Sequence, residues 1–372
     1  MGADRERPQR NDRAFAGGLL MQTSRILHVD ANNFFASCEE ILVPALRGRA
    51  LIVAGGRRND GIVLSANRRA KASGVKTGLA VFAARRLSAG LVVCPARPDE
   101  YRRISAAMFR VINRFSPLVA QVSVDEGFLD LSGVSSGAAR WRELSAAVSR
   151  EVGLQLSGGL ANSRWLAKLA TDAAKPGFLE VSAGTEKGFL AARDLRELSG
   201  IGESRAQALA ALGARTFGDV AVLPSMLLRQ RFGIWGQKLW LFANGEWSEK
   251  LVVEARTRTM ISRQKTFPFD VIDYGRVLRF GLVEVKKLMD VLRREQLAPR
   301  ELGVTVRFAD FSEASAKQRF RVAQERDELI CDAFAALFAE CVAGQSQPAR
   351  QLRLALWNLS PMAFRQPFFR EF

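Results

Sequence analysis

The strongest constraint on the fold is the order of strands and helices that begins at residue 256. The pattern predicts a strand, a long helix over about 275–296, the strands "ELGVTVRFADF" and "AKQRFRV", a helix over about 325–342 and the strand "QLRLALWNL". The order βαββαβ is the ferredoxin-like split unit, so we predict a four-stranded sheet with two helices on one face. Apolar residues at helical spacing form the inward stripe of the long helix: Val277, Leu278, Leu282, Val285, Leu288, Met289 and Leu292.

The first half of the chain alternates strands and helices over shorter stretches, which indicates a mixed sheet. From about residue 190 to 245 the composition becomes helical, and a polar linker follows. In chain order, the predicted elements of the first half are a strand in "RILHVD" (25–30), a strand in "ALIVAGG" (50–56), a strand and short basic helix in "GIVLSANRRAKASGV" (61–75), a helix over 99–117 that Pro117 ends, and a helix over about 137–152.

The charge points to a polyanionic partner. The chain has 55 Lys and Arg against 38 Asp and Glu, a net charge of +17. Such a surplus is typical of nucleic-acid binding, and a merely basic soluble surface is the alternative. The four cysteines are far apart and form no C-x-x-C pair, so we predict neither a disulfide framework nor a zinc site. The sequence has no signal peptide and no membrane span, so we expect a cytoplasmic protein without membrane contacts.

Three acids stand at the ends or bends of predicted strands. Asp125 and Glu126 lie side by side in "QVSVDEGFLDLS", and Asp30 ends the first strand. Neighbouring side chains on a straight strand point to opposite faces, so the adjacent acids can share one site only if the chain bends. Each acid alone fits a cap or a turn. Together with the charge surplus, they predict a site for Mg²⁺, which prefers oxygen ligands.

Several motifs occur in the order found in Y-family translesion DNA polymerases. They are "HVDANNFFASCEE", "NDGIVLSANRRAKASGVKTG", "SVDEGFLDLSG", "LAKLATDAAKPGF" and "LSGIGESRAQAL". The resemblance covers about 25–360 and is greatest to the DNA polymerase IV (DinB) group, with some features of the polymerase V catalytic subunit. It implies an α+β, right-hand-like polymerase. The implied domains are a tail (1–23), a palm with a ferredoxin-like mixed sheet (24–33 and 99–189), small fingers (34–98), a helical thumb with a helix-hairpin-helix motif (190–245), a linker (246–257), a little finger formed by the βαββαβ unit (258–360) and a C-terminal tail (361–372).

In this family the adjacent acids sit at the bend of a palm hairpin, opposite the acid of the first strand. The resemblance therefore implies that Asp30, Asp125 and Glu126 are catalytic and, with the backbone carbonyl of Ala31, bind two Mg²⁺ ions. The implied reaction is low-fidelity, template-directed transfer of nucleotides from dNTPs to a primer 3′-OH during damage bypass. A non-catalytic scaffold on the same fold and a plain basic DNA-binding protein are the alternatives. The presence of all three acids favours catalysis.

The resemblance also implies a nucleotide site. Phe35 takes the place of the steric gate, whose ring excludes the 2′-hydroxyl of a ribonucleotide. Phe34, beside it, is a second candidate at the nucleotide, and it fits the core equally well. Ser65 stands where the family has a small hydroxyl against the triphosphate. Lys175 matches the palm lysine that meets the triphosphate.

Three positions depart from the family pattern. Asn32 stands where many members have a second acid, and it keeps an oxygen without the charge. The fingers positions that often hold Tyr and Arg at the triphosphate hold Arg68 and Lys71 instead. Both remain cationic, but Lys lacks the planar fork of Arg.

The DNA contacts are predicted from turns and basic residues. In "SGIGES", Gly200 and Gly202 let backbone N–H groups approach a phosphate. In the little finger, Arg258, Arg263 and Lys265 are expected to contact the duplex backbone, some of them from the open face of a sheet.

Partners beyond DNA are suggested by the last residues. The segment "RQPFFREF" (365–372) loosely resembles peptides that bind the sliding clamp, and we expect a monomer. His28 is the only histidine and lies inside the first strand, so we predict that it packs in the core and takes no part in catalysis.

Overall fold

The computed structural model describes residues 24–55, 61–252 and 258–362. These residues form two compact units, the first ending at residue 252 and the second beginning at 258. The division falls within the predicted linker. The predictions for residues 1–23 and for the clamp-binding segment 365–372 lie outside the described residues. None of the helices in the described ranges is long and apolar enough to cross a membrane.

The first part of the first unit alternates strands and helices, as the sequence predicts. Short 3₁₀ turns lie at Pro44–Leu46 and later at Leu195–Glu197. Its elements are β1 (Ile26–Ala31), α1 (Phe34–Leu42), β2 (Leu51–Ala54), β3 (Val63–Ala66), α2 (Arg68–Ala72), α3 (Val81–Leu87), β4 (Val92–Pro95), α4 (Pro98–Ile112), β5 (Val119–Gln121), β6 (Glu126–Asp130), α5 (Gly137–Val152), β7 (Leu156–Ala161), α6 (Arg164–Ala174) and β8 (Phe178–Glu180).

The predicted mixed sheet is confirmed. Its strand order is β5–β6–β1–β7–β8, with β7 and β8 parallel and the other pairs antiparallel. Side chains alternate between its faces. Leu27 and Val29 pack into one core with α4 and α5, whereas Ile26 packs into another core with α6. His28 and Asp30 therefore lie on the α6 face of β1. A smaller sheet, β3–β2–β4, underlies the predicted fingers.

Helix α4 ends earlier than predicted. The pattern indicated a helix up to Pro117, but α4 stops at Ile112. The backbone N–H groups of Arg114 and Phe115 bond to the carbonyls three residues earlier, so the helix closes in a tightened turn. The Ser116 hydroxyl then donates to the carbonyls of Leu118 and Asp130 where the chain approaches β5. Helix α5 occupies 137–152, as predicted.

The predicted thumb is helical. Gly233 interrupts its last helix with φ 65° and ψ −148°, a left-handed conformation open to glycine, and this break was not predicted. The helices of this region are α7 (Glu186–Ala191), α8 (Glu203–Ala210), α9 (Phe217–Val222) and α10 (Ser225–Ala243).

The second unit has the predicted βαββαβ order. In its main sheet the strands lie in the order β12 (Glu313–Arg319), β11 (Glu301–Phe308), β13 (Ala349–Trp357) and β9 (Met260–Val271). The first helical connection, from β9 to β11, therefore crosses β13, and the second, from β12 to β13, crosses β11. The two helices of these connections pack on each other. Short strands β10 and β14 pair beside it and were not predicted. The elements are β9 (Met260–Val271), α11 (Tyr274–Arg294), β10 (Leu297–Ala298), β11 (Glu301–Phe308), β12 (Glu313–Arg319), α12 (Asp327–Val342), β13 (Ala349–Trp357) and β14 (Ser360–Pro361).

Candidate active site

A bend before β6 organises the adjacent acids. Asp125 lies in the bend, and Glu126 is the first residue of the strand. The Ser123 hydroxyl accepts hydrogen bonds from the backbone N–H groups of Asp125 (3.2 Å) and Glu126 (3.1 Å), and it donates to Asp125 Oδ1 at 2.5 Å. The sequence analysis missed Ser123. A small hydroxyl two residues before an acid is a recognisable turn signal.

The bend brings the three predicted acids to one end of the sheet. Asp30 lies directly opposite Glu126 on the neighbouring strand, and opposed residues share a face. The backbone N–H of Ala31 donates to the carbonyl of Asp125 at 2.9 Å. This bond continues the register of β1 and β6 by one pair, so Asp125 still lies beside β1 where the chain bends, at the same sheet end as Asp30 and Glu126.

Helix α6 brings a lysine to each of two acids. Lys175 Nζ lies 2.9 Å from Asp30 Oδ2 and 2.9 Å from Asp172 Oδ1. Lys168 Nζ lies 2.5 Å from Glu126 Oε2. Lys168 lies within α6, and Lys175 is the residue that caps its C-terminal end, seven residues later. Lys168 was not predicted, and its spacing from Lys175 was the available signal.

His28 is packed, as predicted, but it also faces an acid. Its side chain is fully buried. Nδ1 lies 2.9 Å from Thr171 Oγ1, and Nε2 lies 3.5 Å from Glu126 Oε2. The histidine therefore links α6 to the acid across β1.

The pKa values of the two opposed acids shift in opposite directions. Burial raises the pKa of the Asp30 carboxyl, against the opposing effect of Lys175. His28 and Lys168 lower the pKa of the Glu126 carboxyl to about 2. Burial lowers the pKa of His28 itself. A further cation would favour the ionised form of Asp30, which is the direction a metal site requires.

The donor chemistry fits a hard divalent cation. Asp30, Asp125 and Glu126 lie at one end of the sheet, and Mg²⁺ prefers carboxylate oxygens as ligands. Within the described ranges, however, no group of three or more Asp, Glu, His or Cys side chains is arranged as a ready metal cluster. The reason is visible in the contacts, because Asp30 and Glu126 turn toward Lys175 and Lys168.

The two phenylalanines of the predicted nucleotide site differ in placement. Phe34 is 3% exposed and belongs to the core, so its side chain offers no surface to a nucleotide. Phe35 is half-buried and stacks on Tyr101, with ring centroids 4.8 Å apart and an angle of 19°. The Tyr101 hydroxyl donates to the buried Glu39 at 2.6 Å, and Arg97 binds the same carboxylate. A fixed polar network therefore supports Phe35 alone.

A cleft of about 570 Å³ lies between the predicted palm and fingers. Asn32, Asn33, Arg68, Gln155 and Pro176 are among the residues that line it. Arg68, one of the positions that depart from the family pattern, lines this cleft, which lies next to the start of α1. The structure thus brings Arg68 to an open space of nucleotide size.

The remaining fingers residues already have partners. Lys71 Nζ donates to Asn33 Oδ1 at 2.5 Å. The buried hydroxyl of Ser65 donates to the Asn33 carbonyl at 3.3 Å and accepts from the Ala36 N–H at 3.4 Å. Ser65 therefore fixes the start of α1 in this structure, and its role at a triphosphate stays a prediction.

The predicted phosphate-binding turn lies between the 3₁₀ turn Leu195–Glu197 and α8. Gly200 has φ +102°, and Gly202 is the N-cap of α8. The Arg205 guanidinium donates to the Gly200 carbonyl at 2.6 Å. Both glycines lie where the sequence placed them, in the loop before α8 and at its first turn.

Arg263 and Lys265 are predicted DNA contacts, and the structure places them on the helix side of β9 and not on the open face of the sheet. They pair in register with Leu354 and Leu352, which are buried against the helices, and opposed residues share a face. Arg263 Nε lies 3.9 Å from Glu284 of α11. Both residues therefore belong to the helix side of β9, and their contact with DNA has no support from an open face.

Arg258 precedes β9, and its Nε lies 2.8 Å from Glu295 Oε2.

The open face of the sheet is formed by other polar residues. Arg353 donates to Gln264 at 3.0 Å, and Ser315 donates to Thr305 at 3.0 Å. The sequence pattern could not separate the two faces, because β9 is polar on both.

The comparisons with known proteins agree over both units. Residues 29–172 match the impB/mucB/samB family, and residues 258–367 match the C-terminal domain of that family. A DNA polymerase IV from Desulfatibacillum aliphaticivorans is 32% identical over 296 residues, which cover 78% of this chain and 74% of the relative. A DNA polymerase IV from Alkalilimnicola ehrlichii is 30% identical over 344 residues, which cover 91% and 96%.

Solved structures share the fold. A Y-family DNA polymerase chimera of Dbh and Dpo4 has a TM-score of 0.80 at 22% identity, covering 90% of this chain and 98% of that chain. DinB from Sulfolobus solfataricus has a TM-score of 0.58 at 22% identity, covering 91% and 100%. The chain therefore belongs to the impB/mucB/samB family and is a DinB-like member of the Y family of DNA polymerases.

Proposed function

We infer that this chain is a template-directed DNA polymerase that carries out translesion synthesis. The observation that carries this inference is the meeting of Asp30, Asp125 and Glu126 at one sheet end. A scaffold that only recruits another polymerase has no use for such acids, and no contact described above favours it. We assign palm, fingers, thumb and little finger to the ranges that the resemblance implies.

We propose that Asp30, Asp125, Glu126 and the carbonyl of Ala31 hold two Mg²⁺ ions. When bound, such a pair supplies charge stabilisation at the attacking and leaving oxygens of a phosphoryl transfer. Lys175, which is 2.9 Å from Asp30, then lies at the edge where the triphosphate enters. Its ammonium is available to the phosphates once metal charge replaces it at the acid.

The nucleotide would lie in the cleft beside α1. Arg68 and Lys71 offer positive charge to its phosphates, and Ser65 keeps the start of α1 in place. Phe35 faces the sugar and excludes a 2′-hydroxyl by bulk. The stacking on Tyr101 keeps the ring from moving aside.

We propose that primer-template DNA contacts the hairpin at Gly200 and Gly202 and the open sheet face around Gln264 and Arg353. Contacts of this kind bind phosphates with little regard to sequence, so affinity should fall steeply with salt. We further propose that the protein is a cytoplasmic monomer and that the segment 365–372 binds the sliding clamp.

Primer extension by an Asp125→Asn variant tests the proposed function. The substitution keeps the oxygen that Ser123 binds and removes the charge. We expect extension to fall more than about a hundredfold, which corresponds to roughly 2.7 kcal/mol of barrier, with DNA binding unchanged. The control is Asp130→Asn, at the far end of the same strand. A wild-type protein that binds primer-template but never extends it would favour the scaffold instead.

A further inference from the structure

The two oxygens of Glu126 have unequal surroundings. Lys168 Nζ lies 2.5 Å from Oε2, and His28 Nε2 lies 3.5 Å from the same Oε2. Within the described residues, both groups approach the carboxylate from the α6 side and meet one oxygen. Oε1 is therefore the oxygen that can face a bound cation.

Helix α6 reaches Glu126 directly through Lys168. Thr171, one turn later, binds the His28 ring beside that acid, with Thr171 Oγ1 2.9 Å from His28 Nδ1, while the buried Nε2 makes no hydrogen bond within the described residues. The Thr171 hydroxyl also donates to the Ala167 carbonyl at 2.9 Å, which fixes its position on the helix. The acid is therefore held by α6 through one of its oxygens, on the sheet face that Asp30 also occupies.

We propose that Lys168 is a positioning residue of the polymerase reaction, which fixes Oε2 of Glu126 and thereby presents Oε1 to the catalytic cation. The proposal rests on the proposed function. Lys168 itself touches neither substrate nor cation. Partners of this kind orient metal ligands, and their loss costs about 10- to 100-fold in activity or metal affinity.

The positive charge of Lys168 allows an experiment to distinguish a positioning role from triphosphate binding and from a purely structural role. An ammonium so close to a metal ligand repels a divalent cation, so its removal should leave cation binding as tight or tighter. The carboxylate would then be free to rotate, and the rate of the chemical step should fall. A lysine that bound the triphosphate would instead change nucleotide affinity. A lysine that only supported folding would weaken cation binding and rate together.

The test compares Lys168→Met, Lys168→Arg and the wild type. The first measurement is the single-turnover rate of extension and the Kd for the dNTP. The second does not depend on activity: the Ca²⁺ concentration that half-saturates dNTP binding to the complex with a dideoxy-terminated primer. The control is Lys287→Met, which removes a lysine 2.6 Å from Glu284 in the second unit.

For Lys168→Met we expect the rate to fall 10- to 100-fold, the Kd for the dNTP to stay within twofold and the half-saturating Ca²⁺ concentration to stay equal or fall. Lys168→Arg, which keeps the charge, should recover the rate to within threefold. Three results for Lys168→Met would each overturn the proposal: a rate within threefold of the wild type, a higher half-saturating Ca²⁺ concentration, or a raised Kd for the dNTP. Failure of the proposed function is a separate result, since the wild type itself would then extend no primer.

Discussion

Gly159 determines how close α6 lies to the catalytic acids. It lies on β7 opposite His28, so it is on the α6 face of the sheet. A Cβ at this position would lie 2.2 Å from the Ala167 carbonyl oxygen and 2.4 Å from the Thr171 nitrogen. Both atoms belong to the helix backbone and cannot rotate away. Gly159→Ala is therefore a direct test of whether the position of α6 matters for chemistry.

The size of the effect follows from these distances. The helix must retreat by about 0.8 Å before the shorter contact reaches 3.0 Å, below which real Cβ contacts are essentially absent. Overpacking of a core costs about 1–3 kcal/mol, and the rigid neighbours favour the upper end. The same retreat moves Lys168 and Lys175 away from their acids. A misplacement of about 1 Å at an active site can cost about a hundredfold in rate.

The assay pairs urea denaturation with single-turnover primer extension. We expect Gly159→Ala to lose about 3 kcal/mol of unfolding free energy and, at temperatures where it stays folded, to extend primers 10- to 100-fold more slowly. The control is Gly188→Ala inside α7, where an added Cβ has no neighbour within 4 Å. That variant should gain about 0.5–1 kcal/mol by helix propensity and keep its activity.

Two outcomes would refute this reasoning. An unfolding free energy within about 0.5 kcal/mol of the wild type would mean that the sheet and helix adapt without strain. A destabilised protein with an unchanged rate would mean that the distance between α6 and the acids does not limit the chemistry.

Two further predictions concern single side chains. Phe35→Ala should accept ribonucleotides readily while Phe34→Ala should lose stability by about 3–5 kcal/mol without that change in selectivity; kcat/KM for dNTP against rNTP and urea denaturation decide, and a collapse of selectivity only in Phe34→Ala would reverse the assignment. Burial lowers the pKa of His28, which Glu126 and Lys168 face, so between pH 6.5 and 5.5 the unfolded chain binds a proton that the fold resists. The unfolding free energy of the wild type should then fall by up to about 1.4 kcal/mol relative to His28→Asn, and an equal pH dependence of both proteins would contradict this.

The fold was predictable where a pattern is local. The 3.6-residue stripe of α11 and the helix over 137–152 are confirmed, because amphipathic spacing alone determines them. The sequence indicated that the chain must bend near Asp125 if Asp125 and Glu126 share one site, because adjacent side chains of a straight strand point to opposite faces. The end of α4 was not predictable, because the tightened backbone turn at Arg114 and Phe115 that closes the helix leaves no mark in the apolar spacing.

Contacts between residues that are far apart in the sequence could not be predicted from it. Lys168 meets Glu126 only because β6 and α6 flank β1, a relation between segments that no local pattern contains. The same limit explains why the sequence could not assign Arg263 and Lys265 to one face of β9. The face of a polar strand depends on its register with β13, and a shift by one residue would have exchanged the two faces.

The Asn32 departure follows from the charges of this site. Its Oδ1 accepts a hydrogen bond from the Ser157 hydroxyl at 2.7 Å, so the amide oxygen is tied to β7. A carboxylate there would accept the same bond and add a negative charge near Asp30. The pKa of Asp30 is already raised by burial and, more weakly, by Asp125. A further like charge would raise it again and favour the protonated form, which binds a cation poorly. Asn32 therefore keeps the contact with β7 while leaving the charge of the site to three carboxylates.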